Sequence, residues 1–210
     1  NTGGSSLAIT NTSANTNSAV IWLASEGVND GATGNSIKNC TVTGNSGTTT
    51  FAGIISCGSV IGSNAAEPNS NNIFQGNTIS GCQYGIAVFG PPEFESGTLI
   101  TQNTIGTPAN TIGFSGITVT NETYTAIVDN TVQHVLTNST MAGAGGIALI
   151  GTTNNVTIAN NTIKNISSGA ESSGTSSISG IHISEYSAFA NVNANFVTGI
   201  ANTNPGGFGV

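Results

Sequence analysis

The chain carries very little charge, and positive charge is the scarcest. Only 5% of the 210 residues are charged, and the formal net charge is −7. There is no Arg, and Lys38 and Lys164 are the only Lys residues. Because nucleic-acid binding requires clustered Lys and Arg that neutralise phosphates, this composition argues against nucleic acid, and against polyanions in general, as partners.

Long apolar runs and metal-ligand motifs are also missing. No run approaches the ~18 apolar residues of a membrane-spanning helix, so no membrane span is expected in this segment. The three cysteines, Cys40, Cys57 and Cys82, cannot all pair within the chain. Their spacing matches neither a disulfide framework nor a zinc site. We therefore expect small buried side chains at these positions, with no metal and no cofactor.

What the chain does contain is a repeated pattern, and its first half is Gly-Ile-x-Val. The apolar residues alternate, as in a strand with one buried face. Successive copies of the glycine are 30 to 34 residues apart, and a degenerate earlier copy begins at Val20. The five clear copies begin at Gly53, Gly85, Gly116, Gly146 and Gly180.

The second half of the pattern is Ile-x-x-Asn-x-Ile. Its two apolar residues are five positions apart, which unbroken alternation would place on opposite faces, so a corner is expected between them. Asn tolerates left-handed backbone angles and bonds neighbouring main chain, which suggests that it lies at the corner. We predict that these Asn side chains stack as a hydrogen-bonded ladder. The residues in this position are Asn77, Asn103, Asn130, Asn161 and Asn195.

A recurring unit of this length predicts a solenoid, in which each repeat buries its apolar side by stacking on its neighbours. Three short strands are expected in each coil: Gly-Ile-x-Val, a segment before the Asn and a segment after it. Abundant Gly, Thr, Asn and β-branched residues argue against helix. The hairpin dipeptide Asn-Gly is absent, which favours parallel stacking.

These repeats resemble the right-handed parallel β-helix of the pectate-lyase-like superfamily, whose coils show the same Gly-Ile and Asn-x-Ile pattern. The resemblance covers the chain from about Ala19 to Val210. It implies an all-β fold, a right-handed parallel β-helix (solenoid) of about six to seven coils, forming a single domain over residues 1–210. Since Gly207-Phe208-Gly209-Val210 matches the opening of another repeat, we expect a fragment of a longer repeat protein that continues beyond both ends.

The resemblance also indicates where an active site would lie. In the lyases and hydrolases of the superfamily, substrate lies along the outer face of the first strand. Alternation places no carboxylate, Lys or Arg on that face here, so no lyase motif carries over and no catalytic residue is predicted. Glu93 and Glu95 form an acidic pair that we expect to be solvated in a loop. The residues of the outer face are Ile55, Cys57, Ala87, Phe89, Thr118, Thr120, Ala148, Ile150, His182 and Ser184.

We interpret the chain as a structural or adhesin-like β-solenoid segment of a secreted or cell-surface protein, most typical of bacteria. Low charge and many Thr, Ser and Asn residues suit an extracellular surface. The expected partners are neutral glycans or other cell-surface proteins. Two alternatives stay open: an inert portion of a polysaccharide-degrading enzyme, and a non-catalytic glycan-binding module. The residues expected to contact glycans are Phe89, Phe94, Tyr124, His182 and Tyr186.

Overall fold

A computed structural model describes residues 7–27, 29–93, 95–139, 141–169 and 178–202 of the chain. These ranges form an all-β parallel solenoid of about six turns, which confirms the predicted fold class. They contain no helix, and so none that is long and apolar enough to cross a membrane.

Each turn contains up to four strand segments, and equivalent segments of successive turns pair in parallel to form four stacks. Stack 1 contains the Gly-Ile-x-Val strands, which are β2 (Ala19–Ser25), β5 (Ala52–Gly58), β8 (Cys82–Phe89), β12 (Ile112–Thr120), β16 (Gly145–Leu149) and β20 (Ser179–Ile183). Stack 3 contains the strands before the Asn position, which are β3 (Ser36–Lys38), β6 (Ile73–Gln75), β10 (Leu99–Thr101), β14 (Ala126–Val128), β18 (Thr157–Ala159) and β22 (Asn191–Asn193).

Stack 4 contains the strands that begin near or just after the Asn position. They are β1 (Leu7–Thr10), β4 (Cys40–Thr43), β7 (Thr78–Ser80), β11 (Thr104–Ile105), β15 (Thr131–Thr137), β19 (Thr162–Ser168) and β23 (Phe196–Asn202). Stacks 1 and 4 join into one 13-stranded sheet, because Ile112 of β12 pairs with Val135 of β15.

The three strands predicted for each coil are those of stacks 1, 3 and 4, and the structure adds stack 2. This stack lies at the corner after stack 1, and its strands contain two residues each. Such short strands have no alternation by which the sequence could reveal them. They are β9 (Glu95–Ser96), β13 (Glu122–Thr123), β17 (Thr153–Asn154) and β21 (Ser187–Ala188).

The register between turns places like residues beside like. In stack 1, Ile54 pairs with Ile86, Ile86 with Ile117, and Ile117 with Ile147. All four side chains are buried in the main core, which runs along the inside of the solenoid. A slip of one residue would turn this row outward, so the repeated apolar pattern itself fixes the register.

The glycine of each Gly-Ile pair lies where stacks 1 and 4 approach closely. A Cβ atom added to Gly85 would overlap the Ile105 side chain, and one added to Gly116 would overlap Val132. The repeat therefore uses glycine to admit a branched side chain from the neighbouring stack.

The five predicted Asn residues form a continuous ladder of side-chain hydrogen bonds. Asn103 is representative: its Oδ1 accepts from Asn77 Nδ2 at 3.0 Å and from the Asn77 main-chain N at 2.9 Å. Its Nδ2 donates to Asn130 Oδ1 at 2.9 Å and to the Phe74 carbonyl at 2.8 Å. The same contacts continue through Asn161 to Asn195. The amide thus satisfies main-chain groups that the corner would otherwise leave unpaired.

The ladder Asn is not itself the left-handed residue, which corrects the expectation from the sequence. The residue before it has the positive φ in each turn, from 52° at Ala194 to 66° at Gly76. Gln102, Asp129 and Asn160 occupy the same position in the intervening turns. The corner therefore separates two tasks, with one residue making the bend and the next one bonding across it.

Two of the three cysteines are buried, and the Cys57 sulfur also accepts a hydrogen bond from Trp22 Nε1 at 3.1 Å. All three are free thiols, with Cys57 and Cys82 buried and Cys40 half-buried. Cys82 pairs with Ile112 in the next turn, and burial raises the pKa of its thiol to about 12.

Replacing Asn103 by Ala should lower the free energy of unfolding by about 3 kcal/mol and the melting temperature by roughly 10 °C. The reason is that the Asn77 N–H, the Phe74 carbonyl and the Asn130 amide all lose a buried partner. Thermal unfolding followed by circular dichroism measures the change. Asn64→Ala is the matched control, because Asn64 is exposed. An equal loss in both variants would contradict a special role for the ladder.

Replacing Ala194 by Asn should stabilise the fold by about 1 kcal/mol, since alanine is unfavourable in the left-handed region that Asn160 occupies one turn earlier. The expected rise in melting temperature is roughly 3 °C. Ala188→Asn serves as the control, because Ala188 is also exposed but has no positive φ. A rise in the control alone, or in neither variant, would count against strain at this corner.

Candidate functional site

The outer face of stack 1 is covered over its first turns, although alternation correctly places its residues outside the solenoid. Ile55, Cys57 and Ala87 are fully buried there. They form a second apolar cluster with Ala52, against which half-buried aromatic residues pack. The first turns of this face are therefore closed to a ligand, whereas later residues of the same face line a cavity.

A loop formed by residues 45–50 directly precedes Phe51, one of the aromatic residues that pack on this cluster. Asn45 donates its main-chain N–H to Thr50 Oγ1 at 2.8 Å, and its side-chain amide donates to Thr49 Oγ1 at 3.0 Å. The loop then runs directly against the start of β12. A Cβ atom added to Gly113 would overlap the Gly47 carbonyl oxygen, so both backbones need this glycine for their close approach.

Four aromatic side chains form a row beside the loop. The ring of Tyr84 lies between those of Phe51 and Phe114, and its centroid is 4.9 Å from each. Phe89 meets Phe51 and Tyr84 edge to face, with centroids 6.5 and 6.0 Å away. These separations are those of favourable aromatic pairs, so the row forms a packed aromatic platform.

Two cavities open on either side of Tyr84 and Phe114. The larger has a volume of about 510 Å³ and lies between the 45–50 loop and the segment after β15. The smaller has a volume of about 340 Å³ and extends over Phe89 toward Ile150. Both are of a size that holds small organic ligands. The polar side chains along the larger cavity belong to Thr48, Gln83, Asn138 and Ser139.

The described lining of both cavities is uncharged. It offers the exposed parts of aromatic rings, the thioether of Met141, hydroxyl groups and side-chain amides. Burial raises the pKa of the Tyr84 phenol, so this hydroxyl stays protonated at neutral pH. Among the described residues, no group of three or more His, Cys, Asp or Glu is arranged to hold a metal ion. The arrangement is suited to binding a neutral polar molecule by stacking and hydrogen bonding.

The residues expected to contact glycans are dispersed. Phe89 lines the smaller cavity, and Phe94 lies outside the described residues. Tyr124 and Tyr186 are 69% and 63% exposed at other places on the surface. His182 is half-buried on β20, in register with Ala148, and does not line either cavity.

Sequence reasoning missed the three aromatic residues that form the centre of the platform. Phe51, Tyr84 and Phe114 each lie one or two residues before the Gly of a Gly-Ile pair. An aromatic residue repeated at that position in three successive turns is a detectable signal. The signal is weakened because the aromatic residue lies one position before the Gly in one turn and two positions before it in the other two.

The acidic pair expected in a solvated loop is placed differently by the structure. Glu93 is exposed, but Glu95 is fully buried on β9. Glu95 pairs with Glu122 on the adjacent strand β13, and Glu122 is also fully buried. Burial raises the pKa of both carboxyl groups, and that of Glu122 is raised further by the charge of Glu95.

Comparison with protein-family models, with curated proteins and with solved structures gave no match. The resemblance to the pectate-lyase-like superfamily is therefore limited to the parallel β-solenoid architecture. Folds of this kind carry unrelated functions, so the function of this chain depends on its site. The aromatic row and the two cavities beside it form that site, which we call the aromatic cleft.

Replacing Gly113 by Ala should displace the 45–50 loop, because the new methyl group cannot share space with the Gly47 carbonyl. We expect a loss of about 2 kcal/mol in the free energy of unfolding, together with a change in the near-ultraviolet circular dichroism of Tyr84 and its neighbours. Gly27→Ala is the control, since a methyl group there would meet nothing within 4 Å. An unchanged aromatic signal in Gly113→Ala would show that the loop does not hold the platform.

Proposed function

We propose that this chain is a secreted or cell-surface β-solenoid that binds a neutral oligosaccharide in the aromatic cleft. The observation that carries the proposal is the row Phe51, Tyr84 and Phe114, which amides and hydroxyls border and beside which the described residues place no charged side chain. In this proposal the solenoid is a stiff scaffold, and the cleft gives it an adhesin-like specificity.

The chemistry of the lining favours a neutral sugar over an acidic one. The C–H face of a pyranose ring is apolar and packs against an aromatic face, while its hydroxyls need amide and hydroxyl partners. Gln83 and Asn138 supply such groups at the edge of the larger cavity. A uronate would bring a carboxylate to a surface with no cation, and its lost hydration would not be replaced.

A scaffold role is supported by how the core is built. The rows of Ile and the Asn ladder run through successive turns, so the molecule gains stability from contacts between neighbours along its whole described length. Such quasi-one-dimensional proteins present side loops at regular intervals. The cleft is formed by two of those loops.

The test is a binding survey with neutral oligosaccharides and, in parallel, polygalacturonate fragments, followed by calorimetry on any ligand found. Tyr84→Ala should weaken binding by about tenfold or more, because the central ring of the platform is removed. Gln83→Ala should weaken it less. Tyr186→Ala is the control and should bind as the unchanged protein does, since Tyr186 is exposed away from the cleft.

Thermal unfolding of each variant separates lost binding from lost folding. Preference for the acidic fragments, loss of binding in Tyr186→Ala alone, or no binding to any neutral sugar would each overturn the proposal. Release of shorter sugars by the unchanged protein would favour the alternative of a polysaccharide-degrading enzyme.

A further inference from the structure

The interior of stack 2 contains two carboxyl groups where a solenoid core normally holds apolar side chains. Glu95 and Glu122 are in register on the paired strands β9 and β13, and neither side chain has any exposed surface. Neighbouring parallel strands lie about 4.8 Å apart, so the two carboxyl groups are held side by side by the backbone.

Each carboxyl group accepts some of the hydrogen bonds that a buried carboxylate needs. The carboxyl oxygen that lacks a donor points to an additional hydrogen atom on the pair. Glu95 accepts from the Asn69 main-chain N at 2.9 Å and from Ser56 Oγ at 3.5 Å. Glu122 Oε2 accepts from Thr125 Oγ1. Glu122 Oε1 is buried and forms no hydrogen bond with the described residues, although the Glu95 carboxyl group and the Thr98 hydroxyl both lie beside the Glu122 carboxyl group.

Two more buried hydroxyls next to Glu122 also lack partners among the described residues. Thr98 lies beside the Glu122 carboxyl group without a hydrogen bond of normal geometry, and Thr153 on β17 is the in-register neighbour of Glu122. Neither threonine has exposed surface beyond 1%. A hydrogen on Glu122 Oε1 would give that atom a donor role toward Glu95 and leave the carboxyl group neutral.

No cation is available from the elements packed around the pair. On β5 the titratable neighbour is Cys57, whose thiol pKa is raised by burial. The segment before β6 adds Glu67, the loop before β9 adds the exposed Glu93, and Tyr124 follows β13 on the surface. Neither Lys38 nor Lys164, nor either histidine, contributes to the electrostatics of Glu95 or Glu122. Two ionised carboxylates without compensation would be strongly unfavourable at this depth.

We propose that Glu95 and Glu122 hold one hydrogen ion between them, with the Glu122 carboxylic acid donating to the Glu95 carboxylate. The pair is a built-in pH-sensitive device in the interior of stack 2. With the hydrogen ion present, the two carboxyl groups are joined by a hydrogen bond. When the ion is lost, the two carboxylates repel each other.

The direction of the pH effect follows from proton linkage. The folded pair retains a hydrogen ion at pH values where the unfolded chain, with ordinary glutamate pKa values, has released it. The contribution of the pair to the free energy of unfolding is therefore greatest below the ordinary glutamate range, and it falls as the pH rises toward the folded pKa. Most proteins with carboxylates in ion pairs show the opposite slope.

The experiment compares thermal unfolding of the unchanged protein, Glu122→Gln, Glu95→Gln and Glu93→Gln between pH 3 and pH 9. The melting temperature of the unchanged protein and of Glu93→Gln should fall as the pH rises, by roughly 3 to 5 °C for each unit by which the pKa is raised. Glu122→Gln should flatten this slope, because glutamine is a permanent donor of similar shape.

Infrared spectroscopy supplies a readout that a merely structural role would not move. At neutral pH the unchanged protein should show the carbonyl stretch of a buried carboxylic acid, and Glu122→Gln should lack it. A slope in Glu122→Gln equal to that of the unchanged protein, or no carboxylic acid band at neutral pH, would overturn the proposal. A rise in melting temperature on adding Ca²⁺ or Na⁺ at neutral pH, reversed by removal of the ion, would overturn it in favour of a bound cation. If Glu122→Gln fails to fold, Glu95→Gln with its slope and infrared spectrum decides the question.

Discussion

The structure depends on in-register parallel pairing between turns, because this places each residue directly beside its equivalent one repeat away. Side chains that attract their own kind benefit from that arrangement. Isoleucine rows pack tightly, and an asparagine amide bonds the next amide with both its donor and its acceptor. For a carboxylate the same arrangement is unfavourable, as Glu95 and Glu122 show. The composition of the chain follows: few charges, many Asn and many β-branched residues.

The interior was predictable from the sequence wherever one residue type recurs at one position. The Ile of Gly-Ile and the ladder Asn recur in turn after turn, so their burial and pairing could be deduced before any coordinates. Stack 2 was not predictable, because the residues paired along it are Glu95, Glu122, Thr153 and Ser187. No shared chemistry connects them in the sequence, and only the path of the chain brings them together.

The position of the cleft was not predictable from the sequence. Low charge and scattered aromatic residues led us to expect neutral glycans as partners, which stays a prediction, and of the residues named for such contacts Phe89 lines the smaller cavity. The platform itself arises because three turns are superimposed, which gathers Phe51, Tyr84 and Phe114 although they are about 30 residues apart. Tyr124 and Tyr186 were equally plausible from the sequence, and the bends after stacks 1 and 2 direct them elsewhere. Glu95 was misjudged for a related reason, since a polar loop composition does not reveal which residue turns inward.

Contacts in a solenoid of this kind normally join adjacent turns, and the loop at residues 45–50 is an exception. It precedes β5 yet touches Gly113 at the start of β12, so it reaches past the whole turn that contains β8. Repeat proteins can change length by duplicating or deleting whole units, because each new unit finds the same neighbours as the old one. Here an extra turn would move Gly113 away from Gly47 by one strand spacing and separate them. The contact between Gly47 and Gly113 thus requires a single intervening turn. Duplication of a turn is therefore compatible with this contact only outside the part of the solenoid that the loop spans.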